Sequence, residues 1–242
     1  LRLEAPAPGE GRVSALAAWL REILFPRRCM FCRSFLKKNE TDLCRECFQR
    51  MPTYPPDAGK EGNAGKNDAH FLDSFTAVWY YEGDVRRSIL RFKFRRAVYL
   101  APKFGRFLAM RVCQQGPERI DILTWVPVSR LRRFRRGYDQ CELLARYVGR
   151  ELGISAQRTL RKRRNTPPQS SLTSAAMRKA NALGAYALCR GADVRGKTVV
   201  LLDDIFTTGA TMNECARVLL TAGAKKVYGA ALAAAHNHNF SK

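Results

Sequence analysis

The sequence contains no long apolar run. No stretch reaches the ~20 consecutive apolar residues that a membrane-spanning helix requires, so we expect no membrane span. A secretory signal is not expected either, because Leu1–Glu10 contains two prolines and a glycine instead of a basic region followed by an apolar one. These two absences predict a cytoplasmic protein.

Acidic side chains are scarce relative to basic ones. The 242 residues include 43 Lys and Arg but only 21 Asp and Glu, which gives a formal net charge of +22. This excess favours polyanionic partners, namely nucleic acid, an acidic membrane surface or a phosphate-rich small molecule. The apolar fraction of 46% can support a hydrophobic core, and the length fits one ordinary domain plus a small one.

Four of the eight cysteines form two Cys-x-x-Cys pairs. Cys29 and Cys32 are followed, after eleven intervening residues, by Cys44 and Cys47. Tetrahedral zinc accepts four thiolates, and each pair offers two of them from one tight turn. Because a cytosolic cysteine framework more often binds metal than forms disulfides, the spacing predicts a closed, structural Zn²⁺ site. A redox dithiol pair and an iron–sulfur site are the alternatives.

The composition divides the chain into three parts. Residues 1–51 are predicted to form an N-terminal module, in which an amphipathic helix at Ser14–Phe25 precedes a zinc ribbon. Residues 52–70 are rich in proline and glycine, which is typical of a linker. Residues 71–242 alternate predicted strands and helices, and this pattern indicates an α/β domain.

The most informative stretch is Lys197–Asn213. Its apolar run Val199–Leu202 predicts a parallel strand buried on both faces, and two carboxylates, Asp203 and Asp204, follow at the carboxyl end of that strand. A turn of small residues then precedes a helix that we expect to begin at Met212. The turn comprises Thr207, Thr208, Gly209, Ala210 and Thr211.

This stretch has the chemistry of a ribose 5-phosphate site. Free N–H groups at a helix N-terminus and threonine hydroxyls donate to phosphate, and Gly209 allows close backbone approach. Two carboxylates repel phosphate but accept hydrogen bonds from vicinal sugar hydroxyls. We therefore predict hydroxyls at Asp203 and Asp204 and a phosphate at Thr207–Thr211. An ordinary strand-to-helix turn with an aspartate cap is the alternative.

Five arginines in seven residues follow a second predicted strand, Ile120–Val128. Ligands of open α/β sheets bind outside the carboxyl ends of the strands. The stretch therefore predicts a pyrophosphate loop, in which guanidinium groups and backbone N–H groups bind a polyanion. The candidate contacts are Ser129, Arg130, Arg136 and Gly137. A solvated basic loop or a nucleic-acid patch is the alternative.

A long polar loop, Asn165–Leu172, precedes a predicted helix. Long polar loops within compact domains are often lids, and we assign Arg164 and Gln169 to this one. Its closure would exclude water from an unstable glycosyl cation. A merely mobile loop is the alternative.

The motifs together resemble a known family. Leu202–Thr211 resembles the phosphoribosyl pyrophosphate (PRPP) motif of type I phosphoribosyltransferases. Combined with the four cysteines, Arg136–Gln140 and Arg164–Asn181, it makes nearly the whole chain from Leu24 resemble the ComF family of competence-associated proteins. The resemblance implies an α/β, type I phosphoribosyltransferase fold, with a parallel sheet flanked by helices and a small hood, after an N-terminal zinc ribbon. This chain has Tyr138-Asp139 where the family pattern usually has Phe-Asn, and a carboxylate there would repel pyrophosphate.

The same resemblance implies a function. Members are linked to DNA uptake in natural transformation, so PRPP with Mg²⁺ and other competence proteins are the expected partners. If the protein is a PRPP-dependent glycosyltransferase, Asp203 and Asp204 would be its catalytic residues. A single-stranded DNA-binding module with a vestigial or regulatory PRPP site is the alternative. Four aromatic residues lie among basic ones, as stacking platforms would: Phe31, Phe48, Phe134 and Tyr138.

A glutamine-dependent amidotransferase is disfavoured, because the very N-terminus carries no cysteine nucleophile and the chain has no additional segment of glutaminase size.

Overall fold

The computed structural model describes residues 26–56, 71–164 and 175–236. The chain divides into two compact units, Leu1–Arg50 and Met51–Lys242. Three predicted features lie outside the described residues: the helix Ser14–Phe25, most of the linker 52–70, and the lid Asn165–Leu172 with Gln169.

The described part of the first unit is a short turn-rich segment. An isolated antiparallel bridge joins Arg28 to Phe35, and helix α1 (Arg45–Gln49) follows with Cys44 as its N-cap.

The second unit alternates strands with helices. In chain order its elements are β1 (Ser74–Tyr80), α2 (Gly83–Phe94), a 3-10 turn (Val98–Leu100), α3 (Ala101–Gln115), β2 (Ile122–Trp125), α4 (Arg130–Arg136), α5 (Gln140–Leu152), β3 (Leu160–Lys162), α6 (Ala175–Ala182), β4 (Tyr186–Leu188), β5 (Thr198–Phe206), α7 (Ala210–Thr221) and β6 (Lys226–Ala234). None of the described helices is long and apolar enough to cross a bilayer.

The main sheet is parallel and has the strand order β1-β6-β5-β2. The run Val199–Leu202 is almost fully buried, because β5 lies between two neighbours and helices cover the sheet. Strand β2 pairs with β5 only as far as Leu202, whereas β6 pairs with β5 as far as Phe206. The acidic residues that follow Leu202 therefore lie where β5 has lost its β2 neighbour.

A second, two-stranded antiparallel sheet of β3 and β4 forms the hood. Two hydrogen bonds fix the approach to β4: the backbone N–H of Gly184 donates to Glu214 of α7 over 2.8 Å, and Arg164 donates to the carbonyl of Leu183 over 2.5 Å. The hood is thus attached to the helix that follows the threonine turn.

The start of the predicted linker is part of the second unit. Thr53 bridges antiparallel to Trp79, and the backbone N–H of Tyr80 donates to the carbonyl of Pro52 over 2.7 Å. Tyr54 is buried against Phe75 and Tyr80. Prolines are tolerated here because this segment lies outside β1, the edge strand of the main sheet, where a missing N–H interrupts no ladder.

Candidate functional site

The two acidic residues of β5 have different surroundings. Neighbouring residues of a strand point to opposite faces of the sheet. Asp204 is 3% exposed and contacts side chains of α2 and α5, whereas Asp203 is half-buried. The charge of Asp203 influences Tyr186 of the hood and Cys215 of α7. The two acids therefore differ in exposure and in their main partners, although helix α5 contacts both of them.

Both carboxylate oxygens of Asp204 are engaged. Its Oδ1 lies 2.8 Å from Nζ of Lys93, and its Oδ2 accepts a 2.9 Å hydrogen bond from Nε2 of Gln140. The predicted contact between Asp204 and a sugar hydroxyl would require this carboxylate to release Lys93 or Gln140, or to share an oxygen with one of them.

Asp203 retains capacity to accept a ligand. Its Oδ1 accepts hydrogen bonds from the backbone N–H of Asp204, over 2.8 Å, and from the thiol of Cys141, over 3.3 Å. Burial, followed by the neighbouring charge of Asp204, raises the pKa of Asp203 to about 7, although Lys93 opposes the shift. Asp203 thus changes charge near neutral pH.

The threonine turn begins helix α7 with glycine as its N-cap. Gly209 has φ +72°, and its carbonyl accepts the backbone N–H of Asn213 over 2.8 Å. A Cβ at this position would lie 2.6 Å from the ring of Phe206, so the turn leaves no space for a side chain. Helix α7 starts two residues before the predicted position, and Ala210 and Thr211 therefore belong to its first turn, the end of a helix at which anions bind.

The arginine stretch that we predicted as a loop is a helix, α4. The Oγ of Ser129 accepts the backbone N–H of Arg132 over 3.4 Å as an N-cap, and Gly137 ends the helix with φ +83°. Arginine and leucine favour helices, and this cap and glycine are typical helix boundaries. The stretch presents its guanidinium groups from helix α4, which follows the carboxyl end of β2.

Asp139 does not add a free carboxylate to this region. It is buried and caps α5, because its Oδ1 accepts the backbone N–H groups of Cys141 and Glu142 and its Oδ2 accepts that of Val128. Burial raises the pKa of Asp139, and these three hydrogen bonds oppose the shift. The carboxylate is thus directed at the backbone, and three N–H dipoles offset part of its charge, while the expected repulsion of pyrophosphate stays a prediction.

A chain of polar contacts joins α4 to α2 across the end of β5. Arg136 donates from Nη1 to Oε1 of Gln140 over 2.7 Å, Gln140 donates to Asp204, and Asp204 pairs with Lys93. No sequence pattern indicates Lys93, because it lies among several other basic residues of α2 and its partner is more than a hundred positions away.

The hood contributes a second lysine that sequence reasoning did not identify. Nζ of Lys162 lies 5.3 Å from the ring centre of Tyr186. Burial and then the charge of Arg132 lower the pKa of Lys162 to about 8, while Asp203 has the opposite influence. Lys162 therefore lies within electrostatic reach of both Arg132 on α4 and Asp203.

Three potential metal ligands also meet at the end of β5. Sγ of Cys141 and carboxylate oxygens of Asp203 and Asp204 lie within 4.8 Å of one another. Because the ammonium of Lys93 already neutralises Asp204, we assign no metal to this group.

The four predicted zinc ligands converge in the first unit. The Sγ atoms of Cys29, Cys32, Cys44 and Cys47 all lie within 4.8 Å of one another, and those of Cys32 and Cys44 are 3.6 Å apart. Zinc–sulfur bonds of about 2.3 Å place tetrahedral sulfurs roughly 3.8 Å apart, so the cluster fits the metal. The predicted structural zinc site is confirmed by this geometry and by the domain match below.

Backbone N–H groups shape both cysteine turns. Ser34 donates its N–H to Cys32 and Cys47 donates its N–H to Cys44, each over 3.5 Å. Burial opposes ionisation of Cys32, but hydrogen bonds from Ser34 outweigh it and lower its pKa to about 7. Glu40 accepts the N–H groups of Lys37 and Arg45, over 2.8 and 2.7 Å, and so ties the loop between the turns to the start of α1.

Comparison with known proteins agrees with both units. Residues 139–240 match the phosphoribosyl transferase domain family, and residues 20–58 match the double zinc ribbon domain family. The protein is therefore a zinc-ribbon protein with a type I phosphoribosyltransferase fold, as the motifs predicted.

Similar proteins are named for competence or DNA use. Competence protein F of Haemophilus influenzae is 30% identical over 219 residues, 84% of this chain and 95% of that protein. DNA utilization protein YhgH of Salmonella typhimurium is 34% identical over 217 residues, which cover 84% of this chain and 94% of that protein. Competence protein ComFC of Bacillus subtilis is 26% identical over 198 residues, which cover 81% of this chain and 78% of that protein. The chain belongs to the ComF family of competence proteins.

Proposed function

We propose that the second unit binds PRPP with Mg²⁺ at the carboxyl end of β5. The observation that carries the proposal is the sequence of features along one strand and helix. A half-buried acid, Asp203, is followed by a glycine-capped turn whose backbone N–H groups begin α7. An acid that accepts sugar hydroxyls and a helix N-terminus that binds phosphate match the two ends of a ribose 5-phosphate.

The remaining parts of the ligand are assigned by charge. Guanidinium groups of α4 bind the diphosphate, and Arg136 is the one connected to the acidic pair. Mg²⁺, when bound with the diphosphate, neutralises its charge. If a nucleophile attacks the anomeric carbon, the bond from that carbon to the diphosphate oxygen breaks and the diphosphate leaves with the bonding electrons. The negative charge of Asp203 would then stabilise the positive charge that develops on the ring.

Isothermal titration with Mg²⁺ and PRPP tests this proposal. The pH dependence of the affinity tests the roles of Asp203 and Lys162. Ionised Asp203 accepts hydroxyl donors, so affinity rises as the pH passes about 7. Protonated Lys162 attracts the diphosphate, so affinity falls as the pH passes about 8. We expect the tightest binding between pH 7 and 8, with each limb approaching tenfold per pH unit.

Two lysine variants serve as a matched pair in this titration. Lys162→Gln removes the alkaline limb only, whereas Lys225→Gln, which changes an exposed lysine, retains both limbs. The absence of any wild-type binding would disprove the proposal. A flat profile would disprove the assignment of Asp203 and Lys162.

A second candidate function is binding of single-stranded DNA, and the exposure of Phe134 favours it. This ring is 86% exposed on a seven-residue helix that contains five arginines. A second ring, that of Phe94, is 61% exposed, and the guanidinium of Arg136, on the same helix as Phe134, lies 4.7 Å from its centre. Exposed aromatic rings among arginines can stack successive bases while the arginines contact phosphates.

Two of the four aromatic residues suggested by the sequence are unsuited to stacking. Phe31 is 2% exposed. Tyr138 is half-buried, packs against Phe92 and donates its hydroxyl proton to the carbonyl of that residue. Phe48 remains exposed in the first unit.

Fluorescence anisotropy with labelled oligo-dT tests this second function. Phe134→Ala is expected to weaken binding roughly 5- to 150-fold, which corresponds to the loss of one stacked base. Raising the salt from 50 to 200 mM should weaken wild-type binding steeply. Met110→Ala removes an exposed apolar side chain of α3 and should have no effect. Salt-independent binding, or equal affinity of Phe134→Ala and wild type, would count against the function.

The relatives supply the cellular context that we propose. Since they are named as competence and DNA utilization proteins, we place this protein in DNA uptake, in the cytoplasm and together with other competence proteins. Impaired transformation in a strain that carries Asp203→Asn would tie the PRPP site to that process.

A further inference from the structure

We propose that Lys93 is a positioning residue for the diphosphate half of the site, acting through Asp204 and Gln140 on Arg136. The inference rests on the proposed function. It assigns a role to α2, an element that none of the predicted ligand-binding motifs includes.

The first step is the ion pair. Nζ of Lys93 lies 2.8 Å from Oδ1 of Asp204, and the two side chains are only 17% and 5% exposed. Burial would lower the pKa of Lys93, but the attraction of Asp204 more than offsets this and the pKa is raised. A buried carboxylate that loses its partner is strongly unfavourable, so Lys93 determines where Asp204 can lie.

The second step leads from Asp204 to the arginine helix. The oxygen of Asp204 that Lys93 does not occupy accepts from Gln140, and the amide oxygen of Gln140 accepts from Arg136. The amide nitrogen of Gln140 is therefore held by Asp204, and its amide oxygen holds the guanidinium of Arg136. The ring of Phe94, which follows Lys93 on α2, supports the same guanidinium from a different direction.

The third step concerns the rigidity of this series of contacts, which helix α2 provides. Phe92 is fully buried, and its carbonyl accepts the hydroxyl proton of Tyr138, which directly follows the Gly137 cap of α4. The ends of α2 and α4 are thus joined on both sides of Lys93. Bound diphosphate needs a guanidinium in a fixed direction, and small displacements of such groups are costly to binding.

Titrations with three ligands separate this role from a general effect on folding. PRPP and pyrophosphate, both with Mg²⁺, contain the diphosphate, whereas ribose 5-phosphate lacks it. Lys93→Met is expected to weaken the binding of PRPP and pyrophosphate about tenfold or more. Its affinity for ribose 5-phosphate should change by less than about twofold. Lys93→Arg keeps the ion pair and should bind all three within about threefold of wild type. Lys225→Met, at an exposed position, is the matched control.

A second variant covers the case in which Lys93→Met does not fold. Lys93→Gln removes the charge but leaves a neutral amide that can donate to Asp204, and it should show the same diphosphate-selective loss, smaller in size. Equal losses for all three ligands, no loss, or tighter binding in the folded variants would each overturn the inference. If wild type binds none of the three ligands, the proposed function itself fails. If wild type binds and the Lys93 variants bind equally well, only the role of Lys93 fails.

Discussion

Asp203→Asn is expected to weaken binding of PRPP with Mg²⁺ roughly 10- to 150-fold, because hydrogen bonds to a charged group contribute about 1.5–3 kcal/mol. The substitution preserves the size of the side chain, and the amide oxygen can still accept from the backbone N–H of Asp204. What it removes is the negative charge of Asp203, whose influence reaches Tyr186 of the hood. Titration calorimetry at pH 8, above the pKa of about 7 of Asp203, measures the difference.

The matched control is Asp193→Asn, which makes the same chemical change at an exposed aspartate whose salt-bridge partner is Arg195. It should bind as wild type does. Equal affinity of Asp203→Asn and wild type would show that this carboxylate does not contact the ligand. Loss of binding in both variants would instead indicate a nonspecific effect of net charge.

Cys47→Ser is expected to reduce bound zinc from about one ion per chain to far below one. Structural zinc in small modules supplies about 10–16 kcal/mol of apparent binding energy, and a segment as short as residues 26–50 has little core of its own. The first unit of the variant should therefore unfold and become sensitive to protease between residues 26 and 50. The second unit, which has its own parallel sheet, should resist digestion.

Inductively coupled plasma mass spectrometry gives the zinc content, and limited proteolysis gives the local stability. Cys113→Ser changes an exposed cysteine of α3 outside the cluster and should keep its zinc. A Cys47→Ser protein with full zinc occupancy, or a wild-type protein that contains iron, would contradict the assignment.

The features that could be predicted from the sequence are those encoded by neighbouring residues. The run Val199–Leu202 reads as a buried strand because both faces of β5 are covered. The zinc site follows from the spacing of its four cysteines, since each pair occupies a single turn. The fold class and the family were both confirmed, whereas the roles of Asp203 and the threonine turn stay predictions.

The features that could not be predicted depend on distant contacts or on a balance of local preferences. Helix α4 was predicted as a loop because five arginines after a strand end suggested an anion-binding loop. Ser129 and Gly137, however, are ordinary helix boundaries. The capping of α5 by Asp139 was not predicted either. The pairing of Lys93 with Asp204 joins α2 to β5, and no local pattern reports a contact over such a separation.

The contact between Gly209 and Phe206 makes the two positions depend on each other. A left-handed backbone alone would leave asparagine as a tolerable replacement for glycine. The aromatic ring beneath the turn removes that option, since any Cβ at 209 would collide with it, and the ring is itself stacked on Phe75 at 3.8 Å. A functional variant at 209 therefore needs a smaller residue at 206 at the same time, and a screen that changes one codon at a time would never recover it.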